Sequence, residues 1–241
     1  MKINKQSNIY TLFYIIVLVV IVGTLLAVIA MSLKDRQEKN ADAEKMKQIL
    51  ASIHVASNEN NVLNLFDEII IKTPVVNAEG AVVGDDGFEI NVQEQSKIKD
   101  PTKRLLPVYV CNLGEKGIKY VLPVSGTGLW GPIWGYVAVD ADGSTIYGAY
   151  FAHQGETPGL GAEIEKPEFS NQFDGKNLFK NGSFLPIAVL KKGVKVTDGR
   201  DYVDAVSGGT VTSKGVSEML NDCLQPYKTY LENIAKQSHN E

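Results

Sequence analysis

Hydroxyl-bearing and small residues crowd together in residues 204–213, which read DAVSGGTVTS and precede a long helical pattern. Thr210 has the most specific chemistry in this segment. Because Gly208 and Gly209 place no side-chain bulk beside its hydroxyl, a large phosphate-bearing donor can reach it. The helix that follows offers free N–H groups and the positive end of its dipole to a phosphate held there. The segment therefore predicts a modifiable threonine; the alternative, on spacing alone, is a loop that ends in a helix cap.

Two further glycine-rich segments punctuate the chain, GTGLWGPIWG at 126–135 and HQGETPGLG at 153–161. Each by itself is consistent with a surface turn. Glycine lets the backbone approach a ligand closely, and Trp130 or Trp134 offers an aromatic plane. Together with residues 204–213, the two segments favour a binding site for a flat, bulky ligand.

Other catalytic constellations are missing from the sequence. His153 and Glu156, with Glu163 nearby, do not have the HExxH spacing of a zinc site, so we predict a structural role for them and no metal. Ser207 and Ser213 lack the GxSxG elbow of a serine hydrolase. No GxGxxG motif follows a strand in a βαβ unit, which leaves a Rossmann nucleotide site unsupported. We therefore predict no catalytic side chain.

The composition is that of a folded protein, with 241 residues of which 44% are hydrophobic and a net charge of -4. This charge, without a Lys/Arg cluster interleaved with aromatic residues, argues against nucleic-acid binding. Cys111 and Cys223 are far apart and form no CxxC motif, so a metal site is not expected. The sequence leaves open whether they form a disulfide or two buried thiols.

Residues 9–33 contain no charged side chain and are mostly Ile, Val, Leu, Phe and Ala. A helix needs roughly 20 apolar residues to cross a bilayer, so this run predicts a transmembrane anchor behind a short tail, residues 1–8. The run is longer than the apolar region of a cleaved signal peptide, which spans about 7–15 residues. More Lys and Arg follow the run than precede it, and this count alone would place the following domain in the cytoplasm.

Beyond the anchor, the periodicity predicts a stalk or first helix at 34–56 and a second helix after a cap at Ser57-Asn58. Strand-type runs are predicted at 81–83, 88–92, 106–110, 118–124, 133–140 and 145–151, with a tight hairpin turn at Asp142-Gly143. One or two short helices at 161–173, a strand within 185–196 and a helix at 214–235 with a kink at Pro226 complete the pattern. The predicted fold is α+β, a mostly antiparallel sheet with flanking helices, in a domain of residues 57–241.

The three segments occur in an order typical of one known family. With a single anchor before them, GLWGPIWGY at 128–136, HQGETPGLG at 153–161 and the final motif make the chain resemble the NqrC family of the sodium-translocating NADH:quinone reductase, and more distantly the RnfG family of the Rnf ferredoxin:NAD oxidoreductase. The final motif of the NqrC family is Asp, two variable residues, Ser or Thr, Gly, Ala and Thr. It maps onto Asp204, Ser207, Gly208, Gly209 and Thr210, with Gly209 where the family usually has alanine.

The resemblance implies an FMN-binding domain in which FMN is joined to Thr210 through a phosphoester by a separate FAD-dependent flavin transferase. Thr212 is the alternative acceptor hydroxyl. The resemblance further implies that the cofactor is contacted by the side chains or backbone of Leu129, Trp130, Glu156, Thr157, Leu160, Gly161 and Thr212. These residues would set the flavin potential through packing and hydrogen bonds.

The activity that the resemblance implies is electron relay in an enzyme complex of the bacterial inner membrane. The complex would move electrons from NADH toward quinone and export Na⁺, and the other subunits would be this chain's partners. The soluble domain would lie on the periplasmic side, against the Lys/Arg count, because large translocated domains depend less on that count. The alternatives are an electron-transport protein of the RnfG type and a membrane-anchored binding or scaffold domain without flavin.

Overall fold

The computed structural model describes residues 8–194 and 196–238. Residues 1–7 of the predicted tail, Lys195 and residues 239–241 lie outside the described part. The chain divides into two compact units, Met1–Lys45 and Met46–Glu241. The predicted domain boundary after residue 56 stays a prediction.

Helix α1, Asn8–Ser52, contains every described residue of the first unit and continues into the second. The predicted anchor at 9–33 and most of the predicted stalk are therefore one uninterrupted helix. Among the described residues, α1 is the helix long and apolar enough to cross a membrane, with a mean hydropathy of 3.1 in its apolar window and none of that window buried. The interpretation of α1 as a membrane-spanning helix is based on its length and composition.

The second unit contains short helices and strands in alternation. Its α-helices are α2 (Val62–Ile69), α3 (Val92–Ser96), α4 (Pro167–Ser170), α5 (Thr210–Leu224) and α6 (Lys228–Ser238). Its strands are β1 (Ile70–Lys72), β2 (Val75–Val76), β3 (Val82–Gly84), β4 (Leu106–Pro107), β5 (Tyr109–Asn112), β6 (Ile118–Thr127), β7 (Pro132–Asp140), β8 (Ile146–His153), β9 (Phe179–Lys180), β10 (Ser183–Phe184), β11 (Ala188–Leu190) and β12 (Tyr202–Asp204).

A five-stranded antiparallel sheet in the order β1-β5-β6-β7-β8 organises this unit. Two antiparallel sheets, β3-β2-β4 and β9-β10, and the parallel pair β11-β12 surround it. The predicted α+β class with a mostly antiparallel sheet is confirmed. Thr127 pairs with Pro132 across the β6–β7 turn, and Ile133 pairs with His153 at the end of β8. This register brings the first two glycine-rich segments to the same end of the sheet.

Helix α5 covers the sheet and packs mainly on β6. Its buried side chains follow the i, i+3, i+4, i+7, i+8 spacing of an amphipathic helix: Val216, Met219, Leu220, Cys223 and Leu224. A cluster of three aromatic rings, Phe151, Phe169 and Phe173, fills the space between β8 and the short helices that follow it. The core therefore lies between the sheet and the elements that carry the third segment.

The predicted strands at 118–124, 133–140 and 145–151 are confirmed, and Gly143 in their turn has a φ of 69°. The predicted strand at 88–92 is wrong. A 3₁₀ turn at Gly87–Glu89 leads instead into α3, because the Asn91 side chain accepts the N–H of Glu94 and caps that helix. The helix cap at Asn91 therefore outweighs the strand preference of the residues around it.

Three further boundaries differ from the prediction. The second helix begins at Val62, after Asn61, whose Oδ1 accepts the N–H of Asn58 in the turn before the helix. The strand predicted within 185–196 is limited to β11, which Gly193 follows with a φ of 88°. The C-terminal helix begins at Thr210, four residues early, and a 3₁₀ turn at Gln225–Tyr227 interrupts it at the predicted proline.

Cys111 and Cys223 are both buried and both free thiols. The Cys223 Sγ donates to the backbone carbonyl of Ser125, 3.2 Å away. Of the two alternatives that the sequence left open, the structure has the two buried thiols.

Candidate functional site

The hydroxyl-rich segment is a tight turn between β12, which ends at Asp204, and α5, which begins at Thr210. The Val206 carbonyl accepts the N–H of Gly209 at 3.1 Å, and the Ser213 hydroxyl accepts the N–H of Val206 at 3.0 Å. Ser213 is buried. The turn is thus tied to the helix that follows it, and Ser213 has a structural role that the sequence analysis missed.

Thr210 is the first residue of α5 and is exposed. Gly209 precedes it as the N-cap and supplies no side-chain acceptor. Gly208 has a φ of 76°, a conformation that glycine adopts without strain. The first N–H groups of an α-helix have no intrahelical carbonyl to bond, so they are available beside the Thr210 hydroxyl.

Glu156 joins the three glycine-rich segments through its carboxylate, which is in a side chain only 5% exposed. Its Oε2 accepts the Thr212 hydroxyl at 2.5 Å, and its Oε1 accepts the backbone N–H of Trp130 at 2.8 Å. Hydrogen bonds to an ionised group are shorter and stronger than neutral ones. The carboxylate therefore fixes the β6–β7 turn and the start of α5 against the second segment.

His153 supports Glu156 from the end of β8. Its Nδ1 accepts the N–H of Glu156 at 3.1 Å, and its Nε2 lies 3.6 Å from Oε2 of Glu165. This contact is consistent with the structural role predicted for the two residues, although their spacing in HQGE did not predict the hydrogen bond itself. No group of three or more His, Cys, Asp or Glu side chains suited to a metal ion occurs in the described part of the chain.

Gly161 lies directly against the hydrogen bond that joins the second and third segments. A Cβ at this position would lie 2.4 Å from Oε2 of Glu156 and 2.4 Å from Oγ1 of Thr212. No side chain fits there unless this hydrogen bond moves. The glycine is therefore required by packing against the two bonded side chains.

A cavity of about 110 Å³ lies between these segments. Its lining gathers most of the predicted cofactor-binding residues with Thr210, the predicted acceptor: Leu129, Glu156, Thr157, Leu160, Gly161, Gly208, Gly209, Thr210, Val211 and Thr212. Leu129, Leu160 and Val211 are 52%, 43% and 52% exposed, which gives the cavity an apolar rim. The predicted site residues from three distant parts of the sequence are thus brought together.

The two tryptophans differ in their relation to this cavity. Trp130 contributes its backbone N–H to Glu156, and its side chain is 69% exposed beside the cavity's Leu129. Trp134 lies in β7, and its indole N–H donates to Oε1 of Gln48 in α1 at 2.9 Å. Trp130 thus follows a lining residue, Leu129, in the sequence, whereas the indole of Trp134 is bonded to α1.

Asp204 and Ser207 lie outside the cavity. They line a separate open cleft of about 560 Å³, together with Lys166, Glu168 and Gln172 among others. The Gln172 Oε1 accepts the backbone N–H of Asp204 at 2.9 Å. The final motif is therefore divided, since its first half faces one cleft and its second half faces another.

Known proteins resemble this chain in sequence and in fold. A sequence model of the FMN-binding domain matches residues 128–225. The NqrC protein of the Na⁺-translocating NADH-quinone reductase of Vibrio vulnificus YJ016 is 34% identical over 224 residues, covering 86% of this chain and 86% of that protein. Its counterpart in Neisseria meningitidis is 33% identical over 232 residues and covers 89% of each chain.

Two crystal structures have the same fold. That of NqrC from Parabacteroides distasonis has a TM-score of 0.76 and 47% identity, covering 83% of this chain and 96% of that chain. That of NqrC from Shewanella oneidensis has a TM-score of 0.68 and 26% identity, covering 82% and 99%. Sequence, fold and the matched domain agree with the resemblance found in the three glycine-rich segments. The chain belongs to the NqrC family, whose members are subunits of the Na⁺-translocating NADH-quinone reductase.

Proposed function

We propose that this chain carries FMN, joined to Thr210 through a phosphoester, and relays single electrons within a membrane NADH-quinone reductase that exports Na⁺. The observation that carries the proposal is the place of Thr210: an exposed hydroxyl at the first residue of α5, on the lining of a cavity inside the matched FMN-binding domain. The proposed reductase activity and the proposed ion, Na⁺, rest on the names of the relatives.

The choice of Thr210 over Thr212 rests on exposure and bonding. Thr212 is 1% exposed and its hydroxyl already donates to Glu156. Thr210 is exposed, and the N–H groups of the first turn of α5 would bind the phosphate oxygens there. A transferase can therefore reach the Thr210 hydroxyl, whereas modifying Thr212 would require the Glu156 contact to break.

The size of the cavity determines how the ring would lie. Pockets that enclose a ligand of this class measure roughly 300–1,000 Å³, and the cavity beside Thr210 measures about 110 Å³. The ring would therefore extend over the exposed side chains of Leu129, Leu160 and Val211, beside Trp130. FMN supplies the reversible uptake of electrons, and the chain holds it with one edge open to a partner.

The surrounding complex is also part of the proposal. Helix α1 has the length and composition of a single-pass anchor, which supports the proposal that the chain is held in the bacterial inner membrane. The soluble unit would lie on the periplasmic side, in contact with the other subunits of the reductase, and a FAD-dependent transferase would attach the flavin. A reporter enzyme active only in the periplasm, fused after residue 241, tests this orientation.

Covalent attachment is tested with the full-length chain co-expressed with a FAD-dependent flavin transferase. After denaturing electrophoresis, the wild-type band is expected to fluoresce under ultraviolet light. The matched variants are Thr210→Val and Thr212→Val, which each replace a hydroxyl with a methyl group. We expect a dark band for Thr210→Val and a fluorescent band for Thr212→Val.

Thr210→Ser and Thr212→Ser, which each keep a hydroxyl, are the controls for folding and are expected to fluoresce. A dark wild-type band would refute the covalent flavin and favour the scaffold alternative. Fluorescence retained in Thr210→Val would refute the assignment of the acceptor. Na⁺-dependent quinone reduction by the intact complex, lost in the Thr210→Val variant, tests the electron relay.

A further inference from the structure

His153 is the last residue of β8, and its side chain is only 15% exposed. The contact of its ring with the Glu156 backbone determines the state of the ring. A backbone N–H can only donate, so Nδ1, which lies 3.1 Å from the Glu156 nitrogen, must be an unprotonated acceptor. The proton of the neutral ring is then on Nε2, which faces the Glu165 carboxylate 3.6 Å away.

We propose that His153 is a positioning residue of the cofactor site: by accepting the Glu156 N–H at Nδ1, it holds the Glu156 carboxylate where it bonds both Thr212 and Trp130. The proposal rests on the proposed function for its consequence, the attachment of flavin. The hydrogen bonds themselves are present in the protein without flavin, so they can be tested in the chain that carries none.

Three hydrogen bonds make up a relay. The His153 imidazole fixes the Glu156 backbone. The buried Glu156 carboxylate accepts the Thr212 hydroxyl at 2.5 Å and the Trp130 N–H at 2.8 Å. Residues 154–157 connect the end of β8 to the cavity lining, and Gly155 meets no neighbour within 4 Å of its Cβ position. The Gln154 N–H donates to the Pro132 carbonyl at 3.0 Å at the start of this connection, and past the open packing at Gly155 the hydrogen bond to His153 holds Glu156.

The two nitrogens of the ring can be tested separately with two amide side chains. In His153→Asn, Oδ1 takes the place of Nδ1 and can still accept the Glu156 N–H. In His153→Gln, the longer amide reaches the place of Nε2 and leaves the Glu156 N–H without an acceptor. Glu165→Gln is the matched control, since it alters the partner of Nε2 and leaves Nδ1 unchanged.

The first readout is amide hydrogen exchange of residues 154–161 and 128–133 in the full-length chain without flavin. We expect about tenfold faster exchange in His153→Gln, which corresponds to one lost neutral hydrogen bond. For His153→Asn and Glu165→Gln we expect exchange within about threefold of wild type. The second readout is the initial rate of flavin attachment at limiting transferase. This rate should fall most in His153→Gln and little in His153→Asn and Glu165→Gln.

Equal exchange in the Asn and Gln variants would overturn the proposal, and so would an effect of Glu165→Gln as large as that of His153→Gln. If a variant fails to fold, the ¹⁵N chemical shift of His153 Nδ1 in the wild-type chain decides, because a protonated Nδ1 refutes the acceptor role. A wild-type chain that takes no flavin would refute the proposed function, and the exchange pattern would still test His153.

Discussion

Replacing Gly161 with alanine would place a methyl group on the hydrogen bond between Thr212 and Glu156. The new Cβ would lie 2.4 Å from each of the two bonded oxygens, which are themselves 2.5 Å apart. Both oxygens must move, and movement of the Glu156 carboxylate also disturbs its hydrogen bond with the Trp130 N–H. A hydrogen bond to a charged group contributes about 1.5–3 kcal/mol, and overpacking costs a further 1–3 kcal/mol or so.

We therefore expect Gly161→Ala to lower the free energy of unfolding by about 3 kcal/mol. The assay is urea unfolding of the detergent-solubilised full-length chain, followed by tryptophan fluorescence, since both tryptophans lie within residues 130–134. With a slope of about 2 kcal/mol per M urea, the midpoint should fall by about 1.5 M.

Gly155→Ala is the matched control in the same segment. Its Cβ would meet nothing within 4 Å, so the free energy of unfolding should stay within about 0.5 kcal/mol of wild type. If Gly161→Ala changes the midpoint no more than Gly155→Ala does, the contact between the second and third segments does not hold the site together.

Gly209→Ala introduces the alanine that the resemblance to the NqrC family implies at this position. Its Cβ would lie 3.2 Å from the nearest side-chain carbon, so we expect a stability change under about 1 kcal/mol and a band that still fluoresces. Arg104, which is 5% exposed, donates to the Asp222 carboxylate at 2.8 Å and to three backbone carbonyls; Arg104→Met should lower the urea midpoint by about 1 M. Burial raises the pKa of Cys111 to about 12 and that of Cys223 to about 11, from 9.0. The unfolded chain therefore loses these protons first, and the midpoint should fall as the pH rises from about 9 toward 11.

Each of these outcomes has its own check. A dark band for Gly209→Ala would show that the turn before Thr210 tolerates no methyl group. Lys103→Met removes an exposed cation next to Arg104, and an equal loss of stability there would contradict a specific role for the buried guanidinium. An alkaline rise of the urea midpoint would contradict thiols that stay protonated in the folded state.

The glycines of the three segments predicted a ligand site between them, and the individual lining residues were predicted from the resemblance to the NqrC family. Leu129, Thr157, Leu160, Gly161 and Thr210 all lie on the cavity. The partners of the polar groups could not be predicted in this way. Whether the Thr212 hydroxyl meets Glu156 depends on the register of β6, β7 and β8 and on the exact start of α5.

Local signals failed where a cap decided the structure. A glycine N-cap has no side-chain acceptor, so the start of α5 at Thr210 carried no clear mark in the sequence. Asn91 is compatible with a turn, a strand end or a cap, and only its bond to Glu94 decides among them. Asp204 and Ser207 are separated from the cavity by the turn at 206–209. Hydrogen bonds from this turn to Ser213, in the first turn of α5, hold it in place.

The order of the segments along the chain also sets the order in which the site can form during synthesis. The strands β6, β7 and β8 are neighbours in both sequence and space, so their hairpins can pair before the rest of the chain has been made. Glu156 then has no hydroxyl partner until residue 212 has been made, and the remaining helix must follow to cover β6. A nascent chain that stops before α5 has the sheet without Thr210, so the proposed flavin transferase would meet its target only after this helix has been made.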